Sequence, residues 1–204
     1  GDVARAEHLL ARHWPPRPEE TDVQVFTFSA SARARVALGA GRFREALEIA
    51  EEGLGPVDKL GLNHPAGRIC WISAMEAALA QGDLAEADRV FEIAASRPAG
   101  HVYPYLRANM RRFRAALAAA RDDPGTAEAE FRASAGAFRD LKCVVDRAVV
   151  QTEHLEWLDR EGRAGDDEAL RLEAEARAVF EPLGAAAWLE RLDRVVAGAA
   201  QPIG

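Results

Sequence analysis

Apolar and polar positions along this 204-residue chain follow a helical period, and the pattern itself recurs about every 40 residues. In residues 84–94, the apolar side chains are spaced at three- and four-residue steps, so they share one face of a predicted helix. These residues are Leu84, Ala87, Val90, Phe91 and Ala94. A matching stripe on the preceding segment consists of Trp71, Ala74, Met75, Ala78 and Leu79. The pattern therefore predicts a pair of helices joined by a short turn.

The turn between the paired helices recurs at a nearly fixed interval. It begins at Gly1, Gly41, Gly82 and Asp122, and a further step of the same length lands on Gly162. Glycine ends a helix with a left-handed backbone angle at no steric cost, which is why it suits this position. Repetition at such a period is typical of a solenoid, in which each helix pair buries its apolar face against the next pair.

The segment between residues 71 and 98 resembles a tetratricopeptide (TPR) repeat. The residues that carry the likeness are Trp71, Ala74, Ala78, Gly82, Ala87, Phe91, Ala94 and Pro98. Segments 30–50 and 111–135 are similar, although the early tryptophan is missing from the first and Asp122 replaces the turn glycine in the second. Units longer than the usual 34 or so residues resemble the C-terminal TPR regions of large bacterial signalling-ATPase transcriptional regulators or cyclases.

We therefore predict an all-α fold, a right-handed α-solenoid of about ten helices arranged as antiparallel pairs. The whole chain, residues 1–204, is expected to be a single repeat array and a fragment of a larger protein. The expected units are residues 1–18 (partial), 22–62, 63–100, 101–141 and 142–184, followed by a capping helix at 185–198. Two irregular segments are expected, a proline-rich connector at 15–21 and a second loop at 53–65.

Composition restricts the classes of function. The net charge of −7 argues against a dedicated nucleic-acid surface, which would normally be basic. No apolar run approaches the roughly 20 residues of a membrane helix, and the N-terminus lacks a signal-peptide pattern. We expect a cytoplasmic protein with no membrane contact and no direct nucleic-acid contact.

Candidate catalytic or metal-binding groups are sparse. The five histidines do not pair at helical spacing, and the acidic clusters precede helices, where carboxylates favour the positive end of the helix dipole. Neither a phosphate-binding glycine loop nor a serine nucleophile elbow is present. Cys70 and Cys143 are expected to be small buried residues. We predict no catalysis, no metal and no cofactor.

In a paired-helix solenoid the first helix of each pair lines an inner groove. Helical stepping along these helices gives the candidate groove residues Phe28, Ser31, Arg35, Ile69, Ile72, Glu76, Asn109, Arg112, Val149, Thr152 and Glu156. Apolar residues mixed with a few charges suit a peptide or a partner helix. An equally favoured alternative is that the apolar members simply pack between neighbouring repeats.

The segment 107–121 is rich in arginine. Arg107, Arg111 and Arg114 share one helical face, and we expect that face to form a solvated or salt-bridged surface. Arg112 points away from that face, into the predicted groove. Arg112→Glu is accordingly expected to weaken partner capture without lowering the melting temperature.

The resemblance implies a non-catalytic protein-interaction or sensing module of a larger bacterial transcriptional or signalling regulator. Its partner would be a protein or peptide, including other domains of the parent protein. A small-molecule inducer bound in the concave groove is the alternative. Self-association through the N-terminal end is also expected, because the first helix of that unit is missing beside Ala6, Leu9 and Leu10.

Overall fold

The computed structural model describes residues 2–13 and 22–199, and this part of the chain is helical with no β-strand. The predicted all-α class is therefore confirmed. The α-helices are α1 (Val3–His13), α2 (Val23–Gly39), α3 (Phe43–Leu54), α4 (Val57–Leu60), α5 (Pro65–Ala80), α6 (Leu84–Ala95), α7 (Pro104–Ala119), α8 (Pro124–Asp140), α9 (Val144–Arg160), α10 (Asp167–Phe180) and α11 (Ala186–Ala199). The short α4 lies inside the segment 53–65 that was expected to be irregular, and the predicted connector at 15–21 lies outside the described residues.

The predicted turns between helices have the expected backbone geometry. At the end of α2, the N–H of Arg42 donates to the carbonyl oxygen of Ala37 at 2.9 Å, and that of Gly41 donates to Leu38 at 2.9 Å. The same pair of bonds ends α5, α7 and α9 at the expected spacing of about 40 residues, and it also ends α8 and α10. The residue with positive φ in these turns is Gly41, Gly82, Asp122, Lys142, Gly162 or Gly184.

The described chain divides into two compact units, residues 2–110 and residues 111–199. In the first unit, α2 packs against α1, α3 and α5, and α5 packs against α3 and α6. Small residues allow this close approach, since a Cβ atom added at Gly53 would lie 2.5 Å from the Sγ of Cys70. The fully buried Trp71 donates from Nε1 to the carbonyl oxygen of Val90 at 2.8 Å, which ties α5 to α6.

In the second unit α9 is the central helix. It packs against α8, α10 and α11, and α10 also packs against α11. The core between α8 and α9 is aromatic, because His154 stacks on Phe131 at 5.1 Å and on Trp157 at 5.7 Å between ring centroids. All three side chains are almost completely buried.

Two further sequence expectations concern membrane spans and cysteines. Among the helices in the described ranges, none combines the length and the apolar character that a membrane crossing would need. Cys70 is fully buried, as predicted. Cys143 is half-buried instead, because α9 begins one residue later and leaves this cysteine in the turn as its N-cap.

Candidate functional site

The predicted groove residues of the first unit lie on the neighbouring helices α2 and α5, but they differ in exposure. Phe28 is 39% exposed, and its ring meets His64 edge-on with 5.2 Å between centroids. Ile69 is half-buried, whereas Ile72 and Ser31 are buried. The Ser31 hydroxyl donates to the carbonyl oxygen of Phe28 at 2.8 Å. Phe28 and Ile69 are thus available at a surface, while Ile72 and Ser31 contribute to packing.

The two predicted charges of this unit bind each other. The guanidinium of Arg35 donates to Oε2 of Glu76 at 2.6 Å, across a separation of 41 residues. Arg35 is about half exposed, so screening by water keeps the contribution of this pair to stability to roughly 1 kcal/mol or less. Its main effect is to neutralise the charges that α2 and α5 present side by side.

The second unit repeats this relationship with a more buried pair. Arg112 donates two hydrogen bonds to the carboxylate of Glu153, again 41 residues further along the chain. Glu156, one turn further along α9, accepts two hydrogen bonds from Arg191 at 2.8 and 2.6 Å. Every charged residue among the predicted groove positions is therefore paired within its own unit.

The remaining predicted positions are mostly packed inside. Asn109 is 1% exposed and donates to the carbonyl oxygen of Tyr105, one turn back along α7. Thr152 is fully buried, with its hydroxyl donating to the carbonyl oxygen of Ala148 at 2.9 Å. Val149 is half-buried. Helical periodicity in the sequence could not distinguish side chains on the outer face of a helix from side chains that contact the next helix.

A surface that the sequence analysis did not assign lies at the start of α5. Asn63 donates from Nδ2 to the carbonyl oxygen of His101 at 2.7 Å, and its Oδ1 accepts from the N–H of Tyr103 at 3.2 Å. One turn into α5, the guanidinium carbon of Arg68 lies 4.7 Å from the ring centroid of Tyr105. We call the resulting surface the aromatic ledge; it comprises Val25, Phe28, His64, Arg68, Tyr103 and Tyr105. The spacing of His64 and Arg68 by one helical turn was the sequence signal that could have indicated it.

Two arginines of the segment 107–121 form the salt bridges that the sequence predicted for their shared face. Arg111 and Arg114 both donate to the carboxylate of Glu130, at 3.0 and 3.1 Å. Arg112 points away from that face, as expected, but it is 6% exposed and bound to Glu153. Burial changes the expectation for Arg112→Glu, because a carboxylate placed against Glu153 would destabilise the fold itself.

A small cavity lies among α9, α10 and α11. Its volume is about 200 Å³, and its lining comprises Leu155, Ala164, Ala169, Leu170, Glu173, Arg177, Val195 and Val196. The polar groups at this cavity are already satisfied, because Arg177 donates to Glu173 at 2.5 Å and to Asp193 at 2.7 Å. The space is smaller than the pockets that usually hold organic ligands, which measure roughly 300 to 1,000 Å³. It matches a single apolar side chain better than a drug-sized ligand.

Cys70 and His154 have strongly shifted acidities, and both are buried in the core. Burial raises the pKa of the Cys70 thiol to about 12. Burial also lowers the pKa of His154 to about 4, and its Nε2 has no hydrogen-bond partner among the described residues. At neutral pH the first is therefore a thiol and the second a neutral imidazole, both held among packed side chains.

In the described ranges, no group of three or more histidine, cysteine or acidic side chains is arranged to hold a metal ion. Comparison of the chain with protein-family models, with curated proteins and with solved structures found no match. The candidate function therefore depends on the exposure, charge and packing of this chain's own residues.

Proposed function

We propose that this chain is a non-catalytic protein-interaction module, built as a TPR-like helical array and belonging to a larger bacterial regulator. The observation that carries the proposal is which side chains are paired and which are exposed on α2, on α5 and at the start of α7. Arg35 of α2 and Glu76 of α5 neutralise each other, while Val25 and Phe28 on α2 and Tyr103, just before α7, remain 39 to 55% exposed. Exposed apolar groups that lie together are typical of surfaces that bind proteins.

The repeated turn supports the arrayed arrangement. Helix ends at Gly41, Gly82, Asp122 and Gly162 share one hydrogen-bonding pattern at a spacing of 40 or 41 residues. Within the first unit, α2 packs on its own partner α3 and on α5, the first helix of the next pair. The Arg35–Glu76 and Arg112–Glu153 pairs have the same sequence separation of 41 residues. These regularities support the proposed array, in which each helix pair packs on the next.

In such a module, partner binding acts by differential affinity. A partner that fits one curvature of the array better than another shifts the parent protein towards the state that has that curvature. The charge pairs keep the first helices in register, and the apolar side chains supply the binding free energy. The mechanism needs no reacting group in this chain.

We favour a protein partner over the small-molecule inducer. The cavity in the second unit is about 200 Å³, and its polar groups already bind one another. A wider depression of about 470 Å³ in the first unit is lined mostly by charged side chains of α3 and α6, and its Arg89 binds Glu51 and Glu86. A ligand-sensing pocket usually combines a larger volume with a mostly apolar lining and a few polar groups that converge on the ligand. An exposed aromatic surface, by contrast, suits the side chains of a peptide or helix.

Selection of peptides displayed on phage tests the proposal, because a random library samples many partner sequences at once. Enriched peptides would be synthesised, and their binding to the whole chain measured by fluorescence anisotropy. We expect Phe28→Asp to weaken binding at least about tenfold, because it places a charge where an apolar contact is required. Leu183→Asp changes an exposed leucine in the turn between α10 and α11 and serves as the matched control. Failure to enrich any peptide, or equal binding by both variants, would contradict the proposal.

A further inference from the structure

We infer that the aromatic ledge binds an acidic peptide segment carrying a large apolar side chain. This inference rests on the proposed function and names the chemistry of the partner. It combines two features of the first unit: an arginine that has no carboxylate partner among the described residues, and exposed rings, one of which packs against His64.

The arginine is Arg68. Other arginines at comparable inner positions, Arg35 and Arg112, each bind a carboxylate of the same unit. Within residues 2–13 and 22–199, Arg68 has no carboxylate within ion-pair distance, and its guanidinium lies over the ring of Tyr105. A guanidinium stacked on a ring keeps its N–H edge directed outward, where it can bind a carboxylate with two parallel hydrogen bonds.

The start of α5 adds to this positive charge. Arg68 is the fourth residue of a 16-residue helix, and the N-cap His64 makes no side-chain hydrogen bond to the first turn. The N-terminal end of a helix carries a partial positive charge, which favours nearby anions. Arg68 and the helix end therefore both favour an acidic group at the same edge of the ledge.

The Phe28 ring and the backbone that carries Tyr103 are held in place before any partner binds. The Phe28 ring rests on the edge of His64, and the backbone at Tyr103 is fixed by Asn63. Tyr103 is 55% exposed, Val25 44% and Phe28 39%. A ring that is already held by a neighbour, as Phe28 is, binds an apolar side chain with little loss of conformational entropy, and this lowers the cost of association.

A peptide fits these charges better than a nucleic acid does. Nucleic-acid surfaces need several cationic contacts to displace counterions, whereas the ledge offers a single arginine on a chain of net charge −7. One or two carboxylates beside an apolar anchor can satisfy Arg68 without bringing a dense row of negative charges to the surface. The partner is accordingly a short acidic and apolar segment of a protein.

The experiment uses the whole chain and two fluorescein-labelled peptides of eight residues. Both contain one phenylalanine and one leucine; the first has four glutamates, and the second has glutamine in their place. At low salt we expect the acidic peptide to bind about tenfold more tightly than the neutral one, the difference that one well-placed charge pair supplies.

Variants then locate the preference. Arg68→Met should remove the preference for the acidic peptide, and Arg68→Lys should keep part of it because the charge is retained. Phe28→Ala should weaken both peptides. Arg44→Met, which removes an exposed arginine from α3, is the matched control and should leave both affinities unchanged. Melting temperatures of all variants show whether they remain folded.

The outcomes separate this inference from the proposed function. If both peptides bind equally and Phe28→Ala weakens both, the preference for an acidic peptide is overturned. The proposed interaction module is not contradicted by that result. A preference for the acidic peptide that survives Arg68→Met in a folded variant would overturn the role of Arg68. Absence of binding by both peptides would overturn the inference, while the phage selection tests the proposed function independently.

Discussion

Arg112 and Glu153 form a buried ion pair that joins α7 to α9 through two hydrogen bonds. Nε of Arg112 lies 2.7 Å from Oε2 of Glu153, and one terminal nitrogen lies 2.5 Å from Oε1. The side chain of Arg112 is 7% exposed and that of Glu153 is 20% exposed. Since water reaches neither group well, each charge depends on the other for its stabilisation.

We expect Arg112→Met to lower the free energy of unfolding by about 2 to 3 kcal/mol, because it leaves the Glu153 carboxylate half-buried without its partner. Urea denaturation followed by circular dichroism measures this change. The double variant Arg112→Met, Glu153→Met removes both charges and should recover most of the lost stability. If the free-energy losses of Arg112→Met and Glu153→Met simply add in the double variant, the two charges are not coupled, which would contradict this prediction.

His154 should make the second unit sensitive to acid. Because burial lowers its pKa to about 4, the unfolded chain binds a proton near pH 6.5 that the folded state does not bind. The stability it contributes is complete at neutral pH and is lost as the pH falls from about 6.5 to about 4, by up to about 3 kcal/mol. The charged groups that face it are Glu128 and Arg132 from α8, Arg163 from the turn and Glu168 from α10.

The contribution of His154 to stability can be distinguished from that of the neighbouring charged groups, because the two are lost in different pH ranges. Arg132 donates to Glu168 and lowers the pKa of that carboxyl, so the contribution of Glu168 is lost below its ordinary value of 4.5. Unfolding free energies between pH 6.5 and 4.5 therefore report on His154. In that range His154→Leu should show a much smaller loss than the parent chain. The same substitution at His8, which is exposed on α1, controls for removal of an imidazole. An unchanged pH slope in His154→Leu would refute the assignment.

The turn at Asp122 should be improved by glycine. Asp122 has φ of 55°, in the left-handed region that costs a residue with a Cβ roughly 1 kcal/mol, whereas the equivalent turn at Gly82 has φ of 71°. Asp122→Gly should raise the free energy of unfolding by about 0.5 to 1 kcal/mol, measured by urea denaturation. The reciprocal change Gly82→Ala should lower it by a similar or larger amount. A loss of stability in Asp122→Gly would contradict this account.

Because the helices of the first unit pack closely, Gly53 should not tolerate substitution by a residue with a Cβ atom. A Cβ atom there would lie 2.5 Å from Sγ of Cys70 and 2.8 Å from the Cβ of Ala30, so α3 would have to move away from both neighbours. We expect Gly53→Ala to lower the melting temperature by several degrees, as an overpacked core loses about 1 to 3 kcal/mol.

The matched control is Gly136→Ala, the same substitution within α8. Nothing lies within 4 Å of a Cβ added at Gly136. There alanine should stabilise by up to about 1 kcal/mol through its higher helix propensity. Equal effects of the two substitutions in scanning calorimetry would rule out steric crowding at Gly53.

The turns show what local sequence can decide. Ends of helices at Gly41, Gly82 and Gly162 could be located from the chain alone, because a left-handed residue and its two hydrogen bonds involve only six consecutive residues. The short α4 was missed, since a four-residue helix between glycines has too little periodicity to distinguish it from a loop.

By itself, the sequence of this protein determined the helical class, the repeat of the turns and which helical faces are apolar, because each depends on residues within one or two turns of a helix. The partners of those faces were decided only by the tertiary structure. Arg112 meets Glu153 and Arg68 lies on Tyr105 across 41 and 37 residues of chain. Such contacts depend on how neighbouring helices pack, and no local period records that packing.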